Sequence, residues 1–309
     1  MKNLNIGIFH DETLGGELAK KGTLSDIAMF NRKAGDNIYT FMAPVGDKLA
    51  AKSQIMSGID VAVVSLASLT PDVGETILML DAMGISKGIA VIPPDVDLKP
   101  IMAITKGTTL ESFKMTHRDP PHIMQDLEAM ESVRDSAVPV SVVVDHSFSV
   151  KGVGEVVLAI VASGTVKKHS KLQLMPLGRE VEIRSIQMQD KDFDEAPAGS
   201  RVGLCIKGAT AEEMRRGAVI CARGAAKAAQ EIKLDFRKNK FYPALAEGMF
   251  HVTVGMQTVP VKLSVHSESS VTIKADKPIA YSPEDVFLLL DLNAKKLHLL
   301  GSGRAVSSV

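Results

Sequence analysis

The chain has little cysteine, no excess of either charge sign and no long apolar run, and each shortage excludes something. Two cysteines among 309 residues cannot build a disulfide framework, so a cross-linked secreted scaffold is excluded and a reduced, cytoplasmic setting is expected. Lys and Arg number 36 against 36 Asp and Glu. A balance of zero argues against a protein that coats DNA through its overall charge, and it still allows a basic face on one domain. No stretch approaches the roughly 18–20 consecutive apolar residues that span a bilayer, so no membrane partner is expected. The start, MKNLNIGIF, runs straight into an apolar strand pattern and lacks the long apolar region and cleavage site of a signal peptide. With 45% hydrophobic residues the composition is globular rather than disordered or fibrous. At about 100–200 residues per domain, the length suits two or three domains.

The first third alternates strand and helix signals. Asn3 to Phe9 and Ile59 to Ala67 read as buried strands. Between them and Lys87 to Ile92, a third strand, lies TPDVGETILMLDAMG. Thr70 suits an N-cap, Pro71 the first helical position, and Asp72 and Glu75 the positive end of the helix dipole. Gly84 suits the stop. Strand–helix–strand at this spacing predicts a sheet that is parallel at least in part. Ile123, Leu127, Met130 and Val133 fall on one face of a further helix, the last element of a first domain. Val138-Pro139 then forms a linker, because the residue before a proline is pushed out of helical geometry.

From Pro139 onward the chain reads as strand after strand. Val140–Val144, Glu155–Val161, Lys171–Met175, Val181–Ile186, Arg201–Ile206 and Ala218–Cys221 are short apolar or alternating runs, separated by Gly, Pro and Lys-Lys turns. Together they predict a small closed barrel. A second set, Glu231–Phe236, Met249–Val254, Val259–Val265, Val271–Lys274, Asp285–Leu290 and Lys296–Leu300, predicts another. The expected fold class is α/β plus all-β: a truncated α/β domain over residues 1–137, a barrel over 138–223 and a barrel over 224–309.

The middle barrel also carries a recognisable string. Asp145 to Val157 (DHSFSVKGVGEVV), Ser163 to Lys167 (SGTVK), Pro176 to Gln187 (PLGREVEIRSIQ), Ala198 to Gly203 (AGSRVG) and Arg216 to Ile220 (RGAVI) occur in the order found in domain 2 of translational GTPases, which this region resembles. Glu247 to Met256 (EGMFHVTVGM), Val259 to Val261 and Leu290 to Gly303 (LDLNAKKLHLLGSG) look most like domain 3 of the archaeal SelB type, the selenocysteine-specific elongation factors. Within that group the nearest likeness is to the SelB-like factors of pyrrolysine-using archaea, EF-Pyl. The resemblance implies that the first domain is P-loop-GTPase-like. It also implies that aminoacyl-tRNA, here pyrrolysyl-tRNA, is the partner, with the ribosome as a second.

A P-loop needs glycines that let backbone N–H groups approach phosphate, a Lys for the β and γ oxygens, and Ser or Thr for magnesium. The matching segment here, Phe9 to Leu14 (FHDETL), is short, has no Gly-Lys, and carries Asp11 and Glu12. Like charges 4 Å apart cost about 4 kcal/mol at an effective dielectric of 20, so a triphosphate would be repelled unless the carboxylates turn away. The magnesium-binding switch aligns with Gly22 to Ile27 and puts Leu24 at the ligand position, with Thr23 or Ser25 as substitutes. The Asp-x-Pro-Gly-His motif becomes MAPVG at Met42 to Gly46, and the guanine-reading motif becomes IPPD at Ile92 to Asp95. The vestigial nucleotide site is therefore His10, Asp11, Glu12, Thr13, Thr23 and Asp95. No catalytic residue and no cofactor are expected, with GTP and magnesium bound only if the altered site still works.

By the resemblance, Asp145, His146 and Phe148 lie near the aminoacyl end of the RNA, with Arg201 and Gly203 on a strand nearby. His146 either contacts a polar aminoacyl group or is a barrel histidine satisfied by backbone. Arg216 and Gly217 read as a structural turn, with Gly217 permitting it and Arg216 pairing with an acid. Two basic clusters stand out, Lys167-Lys168-His169 and Arg237-Lys238-Asn239-Lys240. Each is either a phosphate contact or a solubilising turn. Phe241 and Tyr242 read as barrel plugs in preference to base-stacking platforms. His10, His117, His122 and His251 form no metal-ligand spacing with either cysteine, and Cys205 and Cys221 read as buried thiols. Two other roles remain open on these residues: a regulatory or assembly module that uses the barrels for protein contacts, and a GTPase with atypical loops.

Overall fold

The computed structural model describes residues 2–46, 48–94, 98–132 and 134–306. The chain divides into two compact units. Met1–Val133 with Arg237–Leu245 and Leu288–Ser302 forms one, and Arg134–Phe236 with Ala246–Phe287 and Gly303–Val309 forms the other.

The α/β part opens with β1 (Asn3–Phe9), α1 (Leu14–Leu18), β2 (Lys20–Leu24), β3 (Ile27–Ala34), β4 (Asn37–Pro44), α2 (Leu49–Gly58) and β5 (Val61–Ser65). It continues with α3 (Pro71–Met83), β6 (Gly88–Ile92), α4 (Leu98–Thr105), β7 (Lys114–His117) and α5 (Pro120–Ala129). Seven strands form one sheet in the order β2-β3-β4-β1-β5-β6-β7. The strands from β4 to β7 pair in parallel, and β2 and β3 extend the sheet by antiparallel pairing. All seven residues of β1 are buried, as expected for a central strand covered on both faces. Leu4, Ile6, Ile8, Phe41, Val61, Val63 and Ile89 make its core with Ile123 and Leu127 of α5.

Helix α3 follows its sequence signals. The Thr70 hydroxyl accepts from Val73 N at 3.3 Å, Pro71 opens the helix, and Gly84 closes it at a φ of 72°. Three expectations need correction. Glu75 does not serve the helix dipole: only Asp72 is in the acidic first turn, while Glu75 is buried and its carboxylate accepts from His298 N, from His298 Nδ1 at 2.7 Å and from Leu299 N at 2.9 Å. Helix α5 ends at Ala129, with Met130 as its C-cap, and Val133 lies outside the described residues. The segments aligned with the magnesium switch, Gly22 to Ile27, and with the Asp-x-Pro-Gly-His motif, Met42 to Gly46, fall largely in strands: Thr23 and Leu24 belong to β2, Ile27 opens β3, and Met42 is a buried residue of β4.

The first barrel region runs through β8 (Ser141–Val150), β9 (Gly154–Ser163), β10 (Thr165–Lys167), β11 (Lys171–Met175), β12 (Arg179–Met188), β13 (Lys191–Phe193), β14 (Glu195–Pro197), β15 (Arg201–Lys207) and β16 (Val219–Cys221), of which β10 and β14 pair as a separate two-stranded sheet. The order β11-β16-β8-β9-β15-β12 closes through the pairing of β11 with β12, so six strands make the barrel and β13 extends it. Alternate residues point inward, among them Val142, Val144, Val157, Ala159, Leu174, Ile183, Leu204 and Ile220, the period expected of a barrel wall. The second barrel is β17 (Lys227–Lys238), β18 (Gly248–Val254), β19 (Gln257–Ser267), β20 (Ser270–Tyr281), β21 (Phe287–Leu290) and β22 (Leu299–Ala305), closed in the order β17-β20-β19-β18-β21-β22. Cys221 is buried as expected, and burial raises its thiol pKa. Cys205 is only partly covered, with Sγ donating to the Val153 carbonyl at 3.4 Å. Among the described residues no helix is long and apolar enough to cross a membrane.

Candidate functional site

The bend that follows β1 is built on a reversal. His10 adopts a left-handed φ of 63°, a conformation that costs a non-glycine residue energy and redirects the chain sharply. The next residue, Asp11, turns its carboxylate back onto the start of α1. Its Oδ1 accepts from Leu14 N at 3.0 Å, from Thr13 N at 3.2 Å and from Thr13 Oγ1 at 3.2 Å. The backbone donors that would meet an anion in a P-loop therefore already meet one, and it belongs to the chain.

Nor is this a bare acidic bend. Arg118, which follows β7, donates Nε to Asp11 Oδ2 at 2.7 Å and Nη2 to Thr13 Oγ1 at 2.7 Å. It also forks onto Glu17, with Nη2 to Oε1 at 2.7 Å and Nη1 to Oε2 at 3.1 Å. Burial works to raise the Asp11 carboxyl. The guanidinium and the two N–H donors outweigh it and leave the group below its ordinary value. The Arg118 hydrogen bond likewise lowers Glu17, and the two carboxylates raise Arg118. Gly15, one of the two glycines after the bend, is a packing residue: a Cβ there would lie 2.6 Å from the Phe30 ring.

Behind the bend runs a second polar cluster. His10 Nε2 lies 2.8 Å from Thr76 Oγ1, and its Nδ1 lies 3.5 Å from Asp72 Oδ2. Lys52 of α2 is 3% exposed and donates to Asp72 Oδ1 at 2.6 Å. The Thr76 hydroxyl is itself buried and donates to the Asp72 carbonyl at 3.0 Å. The cluster ties α2 and α3 to the end of β1. Glu12 is exposed on the bend and Thr23 sits on β2, with β3 and β4 between it and β1 in the sheet. Asp95 lies outside the described residues. The vestigial set thus divides: His10, Asp11, Glu12 and Thr13 share one turn, and Thr23 does not join them.

In the first barrel, a β-bulge sets the geometry. Val144 pairs with Ala159 and His146 with Leu158, which leaves Asp145 as the extra residue of β8. A bulge re-aims a side chain, and here consecutive residues Val144 and Asp145 are both buried. The Asp145 carboxylate, 1% exposed, forms a short ion pair through Oδ2 with Arg201 Nη1, itself 10% exposed. His146 Nδ1 stands 3.3 Å from the same oxygen. Burial opposes ionisation of Asp145, but the charge of Arg201, His146 and the Arg201 hydrogen bond outweigh it and hold the carboxyl below its usual range. Asp145 Oδ1 is buried with no hydrogen-bond partner among the described residues, and the neighbour of His146 Nδ1 is the Asp145 carboxylate. Phe148, on the same strand, is 42% exposed.

The turn into β16 locks this arrangement. Arg216 Nε donates to the Asp145 carbonyl at 3.1 Å, and Gly217 N donates to the Val144 carbonyl at 2.9 Å. Gly217 has a φ of 87°, and a Cβ there would stand 2.5 Å from Gln257 Cβ. Only glycine suits both demands.

The two basic clusters part company. Lys167 and His169 lie 3.6 Å and 3.9 Å from carboxylates of Glu195 and Glu182, which fits a solvated, charge-balanced turn. Arg237, Lys238 and Lys240 instead line a cleft of about 120 Å³ with Asp81, Thr108 and Ser302. The turn that carries them is tied down through Asn239. Its N and Nδ2 donate to the carbonyls of Leu300 at 2.8 Å and Leu299 at 3.0 Å, and its Oδ1 accepts from Phe241 N at 3.1 Å. Tyr242 OH donates to Asp291 Oδ2 at 3.2 Å, and burial together with that carboxylate pushes its phenol up to about 12. Tyr242 thus anchors the turn. Phe241 corrects the sequence reading: it is 62% exposed, not a barrel plug, and Lys240 Nζ lies 4.9 Å from its ring centre.

Sequence reasoning missed Arg118, Lys52 and the Glu75–His298 contact. Arg118 stands 107 residues from Asp11, and only the parallel register of β1, β5, β6 and β7 brings the two together. Lys52 sits in a helix that gave no clear periodic signal.

Comparison with known proteins agrees with this architecture. Residues 154–221 match the family model of Elongation factor Tu domain 2. The structure superposes on translation elongation factor SelB from Methanococcus maripaludis, solved in complex with the GTP analogue GPPNHP. The TM-score is 0.84 at 21% identity, covering 99% of this chain and 79% of that one. The Selenocysteine-specific elongation factor of Methanocaldococcus jannaschii is 28% identical over 159 residues, half of this chain and 33% of that protein. The protein from the same organism named Uncharacterized protein MJ0325 is 36% identical over 309 residues, which cover 98% of this chain and all of that protein. The chain belongs to the family of MJ0325; its fold is that of SelB, and its first barrel matches the Elongation factor Tu domain 2 model over residues 154–221.

Proposed function

We propose that this protein is a SelB-like elongation-factor paralogue that binds aminoacyl-tRNA through its barrels without using GTP. On this reading three domains, 1–137, 138–223 and 224–309, divide the work in the cytoplasm, and the ribosome is a second partner. Asp145, His146, Phe148 and Arg201 receive the aminoacyl end of the RNA, and Arg237, Lys238 and Lys240 meet its backbone. The likeness to EF-Pyl makes pyrrolysyl-tRNA the first substrate to test.

The observation that carries the proposal is the bulge at Asp145. It holds a buried carboxylate, a guanidinium and an imidazole together in the barrel that matches Elongation factor Tu domain 2. Buried charge with an unpartnered carboxylate oxygen is expensive to maintain for stability alone, and such a group is suited to recognising a polar ligand. The SelB structure holds a GTP analogue. The residues of the corresponding bend here do not fit a triphosphate: Asp11 already accepts from the Thr13 and Leu14 N–H groups, and Arg118 is spent on Asp11 and Glu17. No step of the function is routed through a nucleotide.

Filter binding with pyrrolysyl-tRNA, another aminoacyl-tRNA and deacylated tRNA tests the proposal. Salt-dependent binding that favours charged over deacylated tRNA is the expected result. No retention of any charged tRNA at micromolar protein would overturn it.

A further inference from the structure

The turn Arg237–Tyr242 combines three features that the tRNA-binding proposal does not by itself require. Its cations converge on a cleft: Arg237, Lys238 and Lys240 line it, with Thr108 and Ser302 as hydroxyl neighbours and Asp81 as the one carboxylate among the lining residues. Arg237 Nη2 lies 3.7 Å from Asp81 Oδ2 and its side chain is 81% exposed, so this pairing is loose and gives way readily to a stronger anion. The turn is preorganised, since Asn239 is fixed by hydrogen bonds through N, Nδ2 and Oδ1 and Tyr242 by its phenol. Finally, Phe241 is held out in solvent directly beside the cations. A large apolar ring left 62% exposed on a rigid turn offers a flat face for another ring.

From these observations we infer that the turn is a seat for one unpaired nucleotide of RNA, with a backbone phosphate in the cleft and its neighbouring base stacked on Phe241. The inference rests on the RNA-binding reading above and narrows it. Bases inside a duplex are already stacked on one another and do not reach a side-chain ring, whereas unpaired bases are routinely held on aromatic side chains. The Lys238 and Lys240 ammonium groups neutralise the phosphate, and Lys240, placed over the Phe241 ring, links the two halves of the seat. A purely duplex-facing basic surface would have no use for the exposed ring.

The test is fluorescence anisotropy on the full chain with a labelled single-stranded RNA 12-mer and with the same sequence as a duplex, alongside charged tRNA. The single strand is expected to bind more tightly than the duplex. Phe241→Ala should weaken single-strand binding roughly tenfold and leave duplex binding unchanged. Lys238→Ala with Lys240→Ala should reduce the salt slope of log K for the single strand by about 0.7, the amount for the one phosphate in the cleft. Thermal melts of the variants should match the parent, since these side chains are not core. A duplex bound as tightly as the single strand, or a Phe241→Ala variant with unchanged single-strand affinity, overturns the inference. Charged tRNA binding with no single-strand binding also overturns it and leaves the elongation-factor proposal standing. Single-strand binding sensitive to Phe241, with no tRNA binding, upholds the seat and refutes that proposal.

Discussion

Asp11 with Arg118 and Asp145 with Arg201 are the same two residue types at two places in the molecule, and what surrounds them gives them different work. Arg118 is 37% exposed and shares its guanidinium between two carboxylates and a hydroxyl. Its pair closes a backbone turn by occupying the donors of α1. Arg201 and Asp145 are almost wholly buried at a barrel bulge, with His146 alongside. Removing both charges from water costs several kcal/mol unless the geometry is good and the remaining lone pairs are used. The first pair occupies the Thr13 and Leu14 N–H groups. The second leaves Asp145 Oδ1 without a partner among the described residues. The bend after β1 is satisfied from within, while the bulge in β8 keeps a buried carboxylate oxygen unpartnered among the described residues.

The largest expected effect is on the buried pair. Arg201→Ala leaves Asp145 uncompensated and should cost about 3–5 kcal/mol in urea denaturation. Arg118→Ala should cost no more than about 1 kcal/mol, because its partners regain water. Equal losses would break the comparison. Between these two lies Glu75→Ala, which strips His298 N and Leu299 N of their buried acceptor and should cost about 2–3 kcal/mol in the same assay.

Acid titration sharpens the contrast. Both Asp11 and Asp145 titrate below their ordinary value in the folded protein. Each therefore contributes stability that is fully present above the unfolded value of about 3.9 and is lost as pH falls through the lower folded value. Asp145→Asn should flatten the fall of stability below about pH 4, and Asp11→Asn should flatten it less, as measured by denaturation at stepped pH. The reverse order would place the stronger charge pairing at the bend. The smallest effect expected is on the bend as a nucleotide site. Arg118→Ala should not create measurable heat on titration with GTP and magnesium, since Asp11 still occupies the Thr13 and Leu14 donors.

Much of the fold was legible because its elements obey short-range rules. The alternation of Lys171–Met175 matches β11, and Thr70, Pro71 and Gly84 bound α3 as the sequence suggested. What escaped depends on distant partners. The segment Lys20–Pro44 carries residues that suit a loop as well as an edge strand, and it becomes strand only because β4 pairs with β1. The bulge at Asp145 is a matter of register between β8 and β9, and no local pattern records register. Asp11 and Glu12 announced a repulsive bend, but the residue that neutralises the first, Arg118, comes from the other end of the sheet's connectivity. The exposure of Phe241 follows from Asn239 fixing the turn, whereas hydrophobicity alone pointed inward.

The most direct test of the whole account is the affinity of the protein for charged tRNA, measured by filter binding with and without GTP and magnesium at fixed ionic strength. If the bend after β1 is satisfied from within and the barrels do the binding, the two affinities will coincide. Binding that appears, or tightens severalfold, only when GTP and magnesium are added would contradict the account.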